Sequence, residues 1–232
     1  MKYLMWDIDG TLILTGGAGM MALVKVIKDY YFLDAFEFER SLAGRTDSDI
    51  IKEAVMQIRG RFLTAEAAGI LIRYHMELPK CLPQCRGRVL KNVLPALQYF
   101  DRPESKYKNC LLTGNTRTGA QHKLSYYNLF KYFDVDHSIF GEASENRSEL
   151  AKIAWQRLYR ENPLLDPDDL IFIGDTPNDV RCARTIGARC LVLLDGSGYK
   201  AEDFAACGCD PWRMLEALPE DPAELERILE EE

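Results

Sequence analysis

The sequence predicts an α/β fold: a parallel sheet with a block of helices inserted after its first strand. Three observations predict it. Short, wholly apolar runs alternate with helical periodicity from residue 88 onward, the pattern of a sheet covered on both faces. Residues 17–86 carry helical periodicity and no strand pattern. Three of the apolar runs end in clusters of Asp, Thr, Asn and Gly, and open α/β sheets keep their ligands at the carboxyl ends of their strands.

The first strand, Lys2-Tyr3-Leu4-Met5-Trp6, ends at Asp7, with Gly10 opening a turn. Thr15-Gly16-Gly17-Ala18-Gly19 reads as a hinge; no Gly-Lys-Ser/Thr follows, so it is not a Walker loop. Met20, Leu23, Val24, Ile27 and Tyr31 then fall at helical spacing over 19–32. Thr46 and Asp49 form a capping-box pattern that opens a helix carrying Ile50, Ile51, Ala54, Val55 and Ile58. Thr64 opens another helix to about Leu78, and residues 79–87, with two prolines, read as the return linker. The predicted division is therefore a core of residues 1–16 and 87–232 and a helical insertion of residues 17–86, flanked by two linkers as a mobile lid requires. In the core, helices are predicted near 93–101, 117–128 and 148–160. Strands are predicted at Cys110–Thr113, Phe133–Phe140, Leu170–Ile173 and Cys190–Leu194. The acidic tail from Pro219 holds a short helix with a solvated end.

The 232 residues suffice for one α/β domain, or a core with a small second module, and 47% hydrophobic content supports a substantial interior. A net charge of −7 leaves no electrostatic footprint for nucleic acid or an anionic membrane. No apolar stretch reaches the roughly 18 residues of a membrane span, and the short first apolar run, followed by Asp7 and Asp9, does not read as a signal peptide. The seven cysteines lack paired metal-ligand spacing and read as reduced thiols of a cytoplasmic protein. His75, His122 and His137 show no ligand spacing and read as structural or exposed.

Chemistry concentrates at three strand ends: Asp7-Ile8-Asp9-Gly10-Thr11, Thr113-Gly114-Asn115-Thr116, and Gly174-Asp175-Thr176-Pro177-Asn178-Asp179. Repulsion between Asp7 and Asp9 favours a bound cation or a shared proton. A parallel sheet brings these ends to one edge, so Asp7, Asp9, Asp175 and Asp179 are expected to place four carboxylates in one pocket. Hard oxygen donors in that number suit Mg²⁺.

In order and spacing, Asp-x-Asp-Gly-Thr, Thr-Gly-Asn and Gly-Asp-Thr-x-x-Asp resemble the haloacid dehalogenase superfamily over about residues 2–200, and the helical insertion resembles the small cap of its phosphoglycolate phosphatase and β-phosphoglucomutase branch. The resemblance implies a Rossmann-like core with an inserted α-helical cap, and a role for each matching residue. Asp7 would be the nucleophile, forming an aspartyl-phosphate. Asp9 would act as general acid and base. Thr113 would hydrogen-bond a phosphoryl oxygen, with Gly114 and Asn115 beside it. Asp175 would bind Mg²⁺ with Asp7 and the backbone carbonyl of Asp9, and Asp179 would ligate the metal or orient its water. The family's phosphate-binding cation, commonly a Lys followed by Pro, is here expected to be Arg147, whose guanidinium can clamp phosphate; Lys152 and Lys123 are the other candidates. Gly44-Arg45-Thr46-Asp47 looks like the loop that related enzymes use to select substrate, so Arg45 and Thr46 are expected to meet the leaving group.

The expected function is that of a Mg²⁺-dependent phosphatase for a small phosphorylated metabolite, acting as a monomer or homodimer. The alternatives are a phosphomutase and, less favoured because every motif acid is present, a non-catalytic binding protein of the same fold.

Overall fold

The computed structural model describes residues 1–231. A five-stranded sheet is built from β1 (Lys2–Trp6), β4 (Tyr107–Leu111), β5 (Leu170–Gly174), β6 (Arg189–Leu193) and β7 (Arg213–Leu215). Its order is β4-β1-β5-β6-β7 and every pairing is parallel. A hairpin of β2 (Ile13–Leu14) and β3 (Arg88–Val89) pairs the chain just before the helical block with the chain just after it.

Side-chain alternation along the strands explains why the sheet is buried on both faces. Leu4, Trp6, Leu111, Ile171, Ile173, Leu191 and Leu193 point one way. They pack with α4 (Val93–Phe100), α5 (Arg117–Tyr126) and α9 (Pro222–Glu230). Met5, Cys110, Leu112, Leu170, Phe172, Cys190 and Val192 point the other way. Their partners are α6 (Arg147–Glu161), α7 (Pro177–Arg184) and α8 (Ala201–Ala206). Trp6 is fully buried, and its indole N–H donates to Asn109 Oδ1 at 3.0 Å, so the one polar atom of that ring is satisfied.

The helices between the two hairpin strands are α1 (Ala18–Tyr31), α2 (Asp47–Arg59) and α3 (Thr64–Cys81). They bury a hydrophobic cluster of their own, from Ala18 to Leu82, including Ile27, Ile51, Val55, Ile70 and Leu78. The cap at Thr46 forms as its spacing predicts: the hydroxyl accepts the Asp49 N–H at 3.2 Å.

Two expectations fail. Phe133–Phe140 is not a strand. Asp134 Oδ1 accepts the N–H groups of Asp136 and His137, so the chain turns there, and only Ile139 reaches the sheet, as an isolated bridge to Leu112. The return linker is also more regular than a loop: α3 continues through Pro79 to Cys81 and a short 3₁₀ turn covers Leu82–Gln84. The hairpin strands, α8 and β7 carry no periodic signal long enough to read. Among the described residues, no helix is long and apolar enough to cross a membrane.

Candidate active site

β1 lies between β4 and β5; the chain passes from β1 to β4 on one side and then adds β5, β6 and β7 on the other, which puts the switch point of the sheet at the carboxyl end of β1. Register sets the rest. Trp6 pairs with Leu111 on one side and Ile173 on the other. The ladder runs one residue further, because the Asp7 N–H donates to the Ile173 carbonyl at 2.9 Å and the Leu112 N–H to the Trp6 carbonyl at 2.9 Å. Asp7 is therefore level with Leu112 and Gly174, and Thr113 and Asp175 follow one residue further along the neighbouring strands.

Asp7, Asp175 and Asp179 each offer a carboxylate oxygen, all within 4.8 Å of one another and all buried. Arg147, at the first turn of α6, lies 3.0 Å from Asp7 Oδ2 and is also paired with Asp179 Oδ1. One guanidinium faces three carboxylates, so the cluster carries an excess of buried negative charge. Burial pushes the Asp7 carboxyl up to about 6 against the pull of Arg147, with Asp179 and Asp9 adding to the rise. Asp175 is raised well above the usual carboxylate range, first by burial and then by Asp179 and Asp7. Burial works against the Arg147 charge, yet Asp179 and Asp7 hold it above the ordinary arginine value. An all-oxygen donor set with unmet negative charge fits a hard divalent cation. The turn after Asp9 makes room for it: Gly10 sits at φ 85°, and a Cβ there would stand 2.2 Å from Asp175 Oδ2.

Asp179 is held at both oxygens. Oδ1 meets Arg147, while Oδ2 accepts from the N–H groups of Asp175 and Thr176 and from the Thr176 hydroxyl. It closes the capping box of α7 and fixes the strand end that carries Asp175. The Thr11 hydroxyl donates to Asp175 Oδ1 at 3.1 Å.

Asp9 lines the same cavity, but its carboxylate is not among the three clustered acids. Its Oδ2 accepts from Lys123 Nζ at 2.6 Å and from Asn115 Nδ2 at 2.8 Å. The reason is charge: Lys123 is a buried cation on the inward stripe of α5 and Asp9 is its partner. Burial works against the Lys123 charge, but Asp9 and Asp47 hold it above the ordinary lysine value. Thr113 is fully buried, and its Oγ1 accepts from the backbone and side-chain N–H groups of Asn115, which leaves the hydroxyl proton free to donate.

The helical block closes over this edge. Asp47 N–H donates to the Gly114 carbonyl at 2.8 Å, and Asp47 Oδ2 accepts the Thr116 N–H at 2.8 Å. Asn178 Nδ2 donates to the Gly44 carbonyl at 3.1 Å. His75 Nε2 lies 2.7 Å from Thr116 Oγ1. A cavity of about 320 Å³ remains between block and sheet edge. Asp7, Asp9, Asp175, Arg147 and Lys123 line its floor; Met20, Leu23, Leu42, Ile50 and Tyr74 line its roof.

The two predicted substrate-contacting side chains of the block are engaged elsewhere. Arg45 borders the cavity, but its guanidinium is paired with Asp49 at 2.7 Å and Glu53 at 2.8 Å, the acids one and two turns along the helix that Thr46 caps. Thr46 is buried, caps α2 and donates to the Glu145 carbonyl at 3.1 Å. Lys152 is half-exposed and paired with Glu149 at 2.7 Å. Among the three cation candidates, Arg147 is the one found at Asp7. Sequence reasoning misses the contacts of Lys123, Asp47, Thr11 and Thr176. For Lys123 a signal exists: it shares a helical stripe with Gly119, Ala120 and Leu124, all buried, where an unpaired lysine does not belong.

Comparison with known proteins agrees with this fold. The family profile of haloacid dehalogenase-like hydrolases matches residues 1–187. The chain belongs to this family. Its solved relatives include CbbY from Rhodobacter sphaeroides, in complex with phosphate, at 15% identity and TM-score 0.70, covering 94% of each chain. A protein described as a predicted phosphoglycolate phosphatase, from Haemophilus somnus 129PT, aligns at 18% identity and TM-score 0.69, over 98% of this chain and 97% of that one. The haloacid dehalogenase-like family protein SP0104 from Streptococcus pneumoniae aligns at 16% identity and TM-score 0.64, over 99% of each. At these identities the likeness shows a shared fold. No curated protein sequence matches the chain.

Proposed function

We propose that this family member is a Mg²⁺-dependent phosphatase of small phosphorylated metabolites, working through an aspartyl-phosphate on Asp7. The observation that carries the reading is the convergence, beneath the helical block, of a buried carboxylate (Asp7), a cation against it (Arg147), an all-oxygen metal set and a second carboxylate (Asp9) facing the same cavity. A Mg²⁺ held by Asp7, Asp175 and the Asp9 carbonyl, with Asp179 behind them, would offset the repulsion between the anionic nucleophile and the phosphate dianion.

The chain's own residues supply the remaining chemistry. Arg147 holds Asp7 ionised and is placed to receive phosphoryl oxygens. Thr113 donates its free hydroxyl proton to one of them. An Asp7 oxygen attacks phosphorus as the bond to the leaving oxygen breaks; the electron pair goes to that oxygen, which takes a proton from Asp9. Water then attacks phosphorus, gives its proton to Asp9 and releases Asp7. The helical block is a cap in this scheme: its closure excludes water other than the reactant, and its roof contacts the leaving group. A cavity of about 320 Å³ fits a small ligand rather than a phosphoprotein segment.

The test is hydrolysis of 4-nitrophenyl phosphate with Mg²⁺ and with EDTA, wild type beside Asp7→Asn. Metal-dependent turnover that disappears in the variant is expected. Equal turnover with EDTA, or near-normal turnover by the variant, overturns the reading.

A further inference from the structure

We infer that Lys123 is a positioning residue for the Asp9 carboxyl: with Asn115 it clamps one oxygen, Oδ2, and so fixes the side chain with the other, Oδ1, left free to exchange a proton with the leaving group. The inference rests on the phosphatase reading above and goes beyond the motif residues.

Both donors converge on one atom. Lys123 Nζ lies 2.6 Å from Asp9 Oδ2 and Asn115 Nδ2 lies 2.8 Å from the same oxygen. Asp9 Oδ1 has no hydrogen-bond partner among the described residues. The Asp9 side chain is 44% exposed while that of Lys123 is 6% exposed, so the clamped carboxyl still opens on the cavity. With Oδ2 accepting two hydrogen bonds, Oδ1 is the oxygen that remains to exchange a proton. Asn115 is itself fixed, since its Oδ1 accepts from Lys123 at 2.6 Å and its Nδ2 also reaches Thr113 Oγ1 at 3.0 Å. The carboxyl that handles the proton is thereby tied to the threonine placed to hold the phosphoryl group. Phosphate binding is a separate duty. Arg147 rather than Lys123 contacts the Asp7 carboxylate.

The clamp depends on the cap. Lys123 lies beneath α1 and α3: a Cβ on Gly19 would stand 3.7 Å from Nζ and 3.6 Å from the Tyr74 hydroxyl. Asp47, at the start of α2, adds its charge next to Lys123. In this arrangement the cap buries the lysine against Asp9.

The experiment compares wild type, Lys123→Met and Lys123→Arg on kcat/KM for 4-nitrophenyl phosphate and for a simple alkyl phosphate, with inorganic phosphate binding measured by calorimetry. An alkoxide needs its proton as it leaves, whereas 4-nitrophenolate departs without one. The expected result for K123M is a loss of about 10²-fold on the alkyl ester, the scale of general acid catalysis, with a clearly smaller loss on 4-nitrophenyl phosphate and unchanged phosphate affinity. K123R, which keeps a donor, recovers part of the alkyl-ester activity. Equal losses on both esters, or weakened phosphate binding by a folded K123M, overturn the inference and make Lys123 a phosphate-binding cation. If K123M does not fold, K123R decides: a uniform loss overturns the inference and a loss clearly larger on the alkyl ester supports it. A wild type that hydrolyses neither ester refutes the phosphatase reading itself, and this inference with it.

Discussion

Gly114→Ala isolates the seating of the cap from the integrity of the core. Gly114 does not take a positive φ, so alanine is conformationally acceptable there. Its Cβ, however, would stand 2.1 Å from the Arg45 carbonyl oxygen and 3.0 Å from Thr46 Cα, more than an ångström short of ordinary contact with the first. Both obstacles are backbone and belong to the helical block, so no side-chain rotation relieves them. The block must lift, and lifting costs the bond from Asp47 N–H to the Gly114 carbonyl and the buried bond from Thr116 N–H to the Asp47 carboxylate. A neutral hydrogen bond contributes about 1 kcal/mol and a charged one about 1.5–3 kcal/mol, so the closed arrangement loses about 2.5–4 kcal/mol. If turnover requires closure, kcat/KM falls by about 70-fold to about 10³-fold. The assay is steady-state hydrolysis of 4-nitrophenyl phosphate, with thermal unfolding as the control for the core. A folded Gly114→Ala protein with wild-type kcat/KM would falsify the claim that this seating is the active arrangement.

Other expectations follow from the acidic cluster. Metal-free protein should lose stability as pH rises from about 4 to about 7. Folded Asp7, with its pKa near 6, binds protons that the unfolded chain, near 3.8, has already released. The cost is therefore absent at low pH and fully present above the folded pKa, amounting to about 3 kcal/mol for this group. Mg²⁺ should raise the melting temperature more at pH 7.5 than at pH 5; a pH-independent shift contradicts the assignment of Asp7 to the metal. Asp7→Asn should lower turnover by roughly 10³-fold or more while leaving metal-free stability at pH 7.5 equal to wild type or higher, since a buried charge is removed. Arg147→Met should destabilise metal-free protein by about 3–5 kcal/mol, because it leaves Asp7 and Asp179 buried without their cation. Added Mg²⁺ should recover part of that loss in a thermal melt, and a variant as stable as wild type shows that the pair is not closely held.

Much of this arrangement is written in short-range pattern. The strands around Met5, Cys110, Phe172 and Leu191 are legible because a sheet buried on both faces demands unbroken apolar runs. Their polar ends fall at one edge because parallel strands align their carboxyl ends, and this is why the motif spacing alone brings Asp7, Asp175 and Asp179 together. Phe133–Phe140 misleads for the converse reason: its composition is strand-like, but the Asp134 side chain satisfies the backbone locally and bends it out of the ladder. Asp9 shares the pocket as expected, but its carboxylate stands outside the acid cluster because strand-end position says nothing of the rotamer, and its carboxylate pairs with a cation one helix away. Arg45 borders the cavity as expected, with a pairing that its spacing does not announce. The loop that carries it does lie over the site, but Asp49 and Glu53 take up its charge. Pairings between the cap and the core, such as Asp47 with Thr116, depend on how the two pack, which no local pattern encodes.

The central claim is a covalent bond between Asp7 and the phosphoryl group. It is tested most directly by acid-quenching wild-type protein during turnover of 4-nitrophenyl phosphate with Mg²⁺ and mapping peptides by mass spectrometry. The account predicts a phosphoryl adduct on the peptide containing Asp7, localised to that residue, lost on mild base treatment and absent from Asp7→Asn. Turnover with an adduct on another residue, or with no adduct under conditions where hydrolysis of the intermediate is slowed, would contradict it.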